Sequence, residues 1–171
     1  LSTVLAGGLF GALDWAQVAE EFQCDGGLRD IYVLGTTEAD WDQILSRLAQ
    51  YDPTPIFSVA GEMQLLPHRV APVFKLRDTY QALLTVMAGD AVLNCHFFHE
   101  GEIEFDCDPR EITGPRQAEI LAAFTRLLGE TTGKPVILCH ENTQQAVIAR
   151  YSPPDGEVVW RIAGDGGRGP K

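Results

Sequence analysis

The stretch LLTVMAGDAVLNCHFFHEGEIEFDC, Leu83 to Cys107, decides the fold. It holds three strand-prone runs: Leu83 to Met87, Val92 to Phe98 and Ile103 to Cys107. Ala88-Gly89-Asp90 and His99-Glu100-Gly101 separate them. Connections this short join antiparallel neighbours, so the stretch reads as a meander. Placing Phe98 opposite Glu102 puts Gly101 at the left-handed position that a three-residue loop needs. Leu93, Cys95 and Phe97 then share one face with Ile103, Phe105 and Cys107. Asn94 and His96 share the other with Glu104 and Asp106. A slip of one residue would mix the two sets, so the clean sorting supports this register.

Working outward, Asp14 N-caps a helix to about Phe22, with Trp15, Val18, Ala19 and Phe22 on one face. Asp25-Gly26-Gly27 is a turn, and Leu28 to Leu34 a strand. Arg29 and Asp30 alternate across that strand, where they are expected to form local ion pairs. Thr37 and Asp40 resemble a capping box with Asp in place of Glu. The helix that follows buries Trp41, Ile44, Leu45 and Leu48. Ile56 to Val59 and Met63 to Leu66 form a hairpin around Ala60-Gly61-Glu62. Pro67 to Arg77 fits either a short helix or an irregular crossing. Pro115 opens a long helix to Leu128, with Gly129 as its C-cap. Val136 to Cys139, Ala146 to Tyr151 and Val158 to Ile162 complete the strands. Helices punctuate the strands and do not alternate with them. The expected class is therefore α+β, a mainly antiparallel sheet with three or so helices packed on it.

The 171 residues suit one core and one domain, residues 14–162. Residues 1–13 are read as a flexible or trimmed N-terminus and 163–171 as a loose Gly-rich tail. The chain carries 24 acids against 13 bases, a formal charge of −11. Such a surface repels nucleic acid and anionic membranes and attracts basic proteins. No stretch is long and apolar enough to span a membrane. Cys24, Cys95, Cys107 and Cys139 contain no C-x-x-C pair, so they are read as reduced thiols and the location as cytoplasmic.

No residue pattern carries an assignable chemistry. Ala6 to Gly11 lacks G-x-G-x-x-G spacing, and there is no P-loop, nucleophile elbow or H-E-x-x-H. Cys139 and His140 are adjacent on a strand and point to opposite faces, so they make neither a dyad nor a metal pair. No cofactor, metal ligand or catalytic residue is assigned. Trp41 is expected in the core, while Trp160 is a candidate for an exposed partner site. What remains is the polar face of the central hairpin: Asn94, His96, Glu104 and Asp106, with Asp108 just beyond. A basic partner docks there on one reading. On a bland one His96 pairs with Glu104 across the strands. On a third His96 works with Glu104 or Asp106 as a general base in a small enzyme. An accessory structural domain is a further alternative.

Two segments carry a resemblance. Phe22 to Val33 followed by Asp40-Trp41, together with Leu93 to Phe98 and Ile103 to Glu111, resemble a family of bacterial proteins of unassigned activity. In general plan, small, acidic and free of motifs, the chain resembles immunity proteins of bacterial polymorphic toxin systems. That likeness implies a non-enzymatic inhibitor that neutralises a basic toxin through its acidic surface.

Overall fold

The computed structural model describes residues 9–154 and 156–162. These form ten strands: β1 Leu9–Gly11, β2 Arg29–Leu34, β3 Ile56–Val59, β4 Glu62–Gln64, β5 Ala82–Ala88, β6 Ala91–Cys95, β7 Glu102–Cys107, β8 Val136–His140, β9 Thr143–Tyr151 and β10 Val158–Ile162. Four helices accompany them: α1 Trp15–Val18, α2 Glu38–Leu48, α3 Ala71–Arg77 and α4 Pro115–Thr132. The strands make one sheet in the order β1-β10-β9-β8-β2-β7-β6-β5-β3-β4, and every pairing is antiparallel. The α+β class expected from the sequence is what the chain adopts.

One core explains the arrangement. Val18, Trp41, Val73 and Leu128, from the four helices, bury against Ile31, Leu93, Phe105 and Leu138 of the sheet. All four helices therefore pack on one sheet face. Among the buried apolar residues, Tyr32 and Cys139 lie outside this core, on the opposite face. No described helix covers that second face.

Local chemistry sets the elements. The Asp14 side chain accepts from Ala16 N–H and caps α1, which passes into a 3-10 turn at Ala19–Phe22. Thr37 and Asp40 close the anticipated capping box at α2. Ala60 and Gly61, both at positive φ (52° and 81°), form the tight turn that joins β3 to β4. The stretch Pro67 to Arg77 divides: 67–70 is irregular, and helix α3 begins at Ala71, with Pro72 in its first turn and Val70 and Val73 buried.

Several expectations are corrected. Leu9–Gly11, placed in a loose N-terminus, pairs with β10 through Phe10↔Arg161. The first eight residues and the tail from 163 lie outside the described residues. α4 runs past Gly129 to Thr132, and Gly133, at φ 66°, is its left-handed C-cap. Gly129 is instead the point where α4 meets the ring of Tyr151. Trp160 is 2% exposed, because it packs edge-on against Phe22 under α1, so it cannot present itself to a partner. The local ion pair expected at Arg29 does form: fully buried on the helix side of β2, it pairs with Asp25 and donates to the carbonyls of Glu21 and Gln23. Asp30, across the sheet from it, has no ion pair among the described residues.

Candidate functional site: an acidic helix-free sheet face

Strand register assembles the site. Thr85, Asn94, Asp106, Asp30 and Cys139 lie side by side on five successive strands, β5, β6, β7, β2 and β8. The next rung places Glu104 beside Tyr32, Ile137 and Arg150. Because side chains alternate along each strand, these rungs face away from the helices. Asn94, His96, Glu104 and Asp106 thus share a face as expected. The Asn94↔Asp106 pair has the anticipated register. The loop beyond it differs. His99, not Phe98, bridges Glu102, and the left-handed residue is Phe97 (φ 54°), not Gly101. The His99 ring accepts from Gly101 N–H at 2.9 Å, which holds the turn without a left-handed glycine.

His96 pairs with Asp106, Nε2 to Oδ2 at 3.3 Å, rather than with Glu104. Its ring stacks on Phe98 at 5.2 Å between centroids. Asp108 does not join the cluster. It caps the 3-10 turn Pro109–Glu111 and chelates Arg110 through Nε at 2.9 Å, so its charge is answered locally and its pKa held low by Arg110.

Sequence reasoning missed Asp30 and Tyr32. Both are buried, at 1% and 3% exposure. The Tyr32 hydroxyl donates to Asp30 Oδ2 at 3.1 Å, and Asn142 N–H, on the turn between β8 and β9, donates to the same oxygen at 2.7 Å. Asp30 thereby joins Glu104 and Asp106 in one group of carboxylates. Among the described residues no Lys or Arg forms an ion pair with any of the three. Arg150, the nearest cation along the Glu104 rung, instead lies over the ring of Phe10 at 4.3 Å.

Uncompensated charge in a half-buried setting raises carboxylate pKa values. Burial pushes Glu104 up to about 7 from an ordinary 4.5, helped by the charges of Asp30, Glu102 and Asp106. Burial also raises Asp30 and Asp106, although His96 pulls Asp106 the other way. Beside Glu104 lies an open hollow of about 450 Å³, lined by Tyr32, Phe98, Glu102, Asn142, Gln144 and Gln145. Its donors and acceptors are amides, a phenol and carboxylates, a set suited to an organic cation. The three buried thiols, Cys95, Cys107 and Cys139, are pushed up to about 12 by burial and are inert at neutral pH. All four cysteines are free. No set of three metal-ligating side chains occurs among the described residues. No described helix is long and apolar enough to cross a membrane.

Neither a family model, nor a curated protein, nor a solved structure matches the chain. What the site can do follows from its geometry.

That geometry gives a signed pH effect. The folded-state pKa of Glu104 is raised, so folding disfavours its ionised form. The resulting penalty is absent below the unfolded value of 4.5 and complete above about 7. Glu104→Gln is expected to stabilise the protein by about 1–2 kcal/mol at alkaline pH, after allowance for solvent screening. Near pH 4 it should change little. Thermal unfolding of both proteins across that range checks it; an equal shift at both ends would remove the burial explanation.

Proposed function

We propose that the chain is a non-enzymatic binding protein whose helix-free sheet face receives cationic side chains of a basic protein. The finer reading is an immunity-type inhibitor that blocks a basic bacterial toxin. The observation that carries the proposal is the carboxylate group of buried Asp30 and Asp106 with half-buried Glu104, which lines the hollow; among the described residues no Lys or Arg pairs with any of them. A partner's Lys or Arg entering there supplies the missing counter-charge, and a charge-assisted hydrogen bond between matched ions is strong. The overall charge of −11 steers such a partner inward.

The test is titration calorimetry against the product of a basic gene encoded beside this one. Affinity should fall at least tenfold between about 50 and about 300 mM salt, since the encounter is electrostatic. Glu104→Gln with Asp106→Asn should weaken it further. Binding at pH 7 should also release about half a proton, because a bound cation drives the half-protonated Glu104 to ionise. Salt-insensitive binding with no proton release would sink the proposal.

A second reading keeps one specific observation. His96 is oriented by Asp106 and borders a hollow of about 370 Å³ with Arg77, Tyr80 and Phe98. That arrangement fits a general base held by a carboxylate. Loss of a hydrolytic or transfer activity in His96→Ala, with partner affinity unchanged, would favour it.

A further inference from the structure

The opposite end of the sheet carries a different surface. Seven large apolar side chains are exposed among the described residues, and five of them, Ile56, Met63, Leu65, Leu76 and Tyr80, gather around β3, β4 and α3. Clustered exposed apolar side chains mark interaction sites. Met63 and Leu65 are 77% and 93% exposed. Met63 pairs with Ser58 and Ile56 with Thr85, which puts both on the helix-free face. Leu65, Leu76 and Tyr80 border a hollow of about 360 Å³ with the buried Phe57, on the helix side. The terminal strand β4 is thus flanked by exposed apolar groups on both faces of the sheet.

β4 pairs with β3 on one side, and among the described residues nothing pairs with its other edge. Edge strands are blunted by shortness, charge, Pro or a bulge. At three residues β4 is short and carries Glu62, but it has no Lys, Pro or bulge to turn another strand away. A free ladder edge with apolar side chains above and below is the surface that an added strand buries.

Charge selects the occupant. In residues 56–81, Arg69, Lys75 and Arg77 outnumber Glu62 and Asp78, whereas the whole chain stands at −11. With Arg69 answered by Asp42, this end is close to neutral, so a second acidic copy can approach it with little repulsion. The carboxylate group reaches out to β7, four strands in from β4. In an edge-to-edge pair the two β7 strands would stand nine spacings apart, roughly 43 Å at about 4.8 Å per strand, far beyond the Debye length. An antiparallel pairing centred on Met63 also sets Glu62 opposite Gln64 of the other copy, so no like charges meet across the seam.

We infer that β4 pairs with β4 of a second copy of this chain across a two-fold axis at Met63, joining two sheets into one. This surface is independent of the acidic face, and either can fail without the other. Sedimentation of the full chain from about 1 to about 100 µM tests it by mass action. The expected mass is twice the 18.7 kDa of one chain. Met63→Lys with Leu65→Lys should return the mass to one chain with an unchanged circular dichroism spectrum, both sites being exposed. In a Cys24→Ser background, Met63→Cys treated with diamide should give a covalent dimer through the axis. A wild-type monomer throughout the range overturns the inference, as does a dimer that survives both lysines. A wild-type dimer that yields no Met63→Cys cross-link overturns it too.

Discussion

Trp41→Ala is expected to lower the unfolding free energy by about 3–5 kcal/mol. Trp41 is 1% exposed, stacked on Phe97 at 5.3 Å and edge-on to Phe74 at 5.5 Å. Its indole N–H donates to the Glu100 carbonyl at 2.8 Å, and the Thr36 hydroxyl donates to the same oxygen at 2.7 Å. The start of α2 therefore clamps the loop that turns β6 into β7, and with it the placement of His96 and Phe98. Trp41→Phe keeps most of the packing and loses one hydrogen bond to an acceptor that retains Thr36. It should cost about 1–2 kcal/mol. Urea unfolding of the three proteins checks both figures. If alanine and phenylalanine cost the same, the loop clamp and not the packing dominates.

Gly129→Ala is the second large effect, and its sign is diagnostic. Helix propensity alone makes alanine better than glycine by about 1 kcal/mol inside a helix. Here a Cβ would sit 2.1 Å from the Tyr151 ring, closer than side chains ever approach. Tyr151 is itself buried on β9, so neither partner can yield without moving α4 off the sheet. The expected outcome is a loss of about 3 kcal/mol, at the upper end of overpacking costs. Replacing Tyr151 by Leu in the same chain should recover more than about 1 kcal/mol of that loss, as contacting residues couple. A stabilised Gly129→Ala would mean that α4 packs farther from β9 than described.

These two residues also mark what the sequence discloses. Trp41 lies on an unbroken helical stripe behind a capping box, and both signals are local. The faces of the central hairpin were legible for the same reason: β6 and β7 are near in sequence, and their apolar and polar residues sort on alternate positions. Gly129 is different. Glycine near a helix end reads as a cap, and only the ring from β9 reveals it as a close-packing site. Asp30 was legible as a strand residue but not as part of the site. Its neighbours Asp106 and Cys139 lie far away in sequence, and nothing local to Arg29–Leu34 names them. Nothing local to Trp160 names its cover, because Phe22 comes from far away in the sequence. Proximity in sequence groups Asp108 with the acidic face. Its geometry instead answers to the turn it caps.

The position of β2 between β7 and β8 has a consequence for how the protein comes into being. Most of the other strands lie beside a strand adjacent in the chain, as β3 beside β4 or β8 beside β9. β2 has no such companion. As the polypeptide is synthesised, β2 emerges early and waits for Glu102–Cys107 before its first neighbour exists, and for Val136–His140 before its second. Pairings this distant in sequence are slow to form, since a long loop must close before any contact rewards it. The ladder edges of β2 stay open meanwhile, exposed to other chains. The strand that delivers Asp30 and Tyr32 to the acidic face is thus seated late, and a nascent chain completes that face only when Val136–His140 has been made.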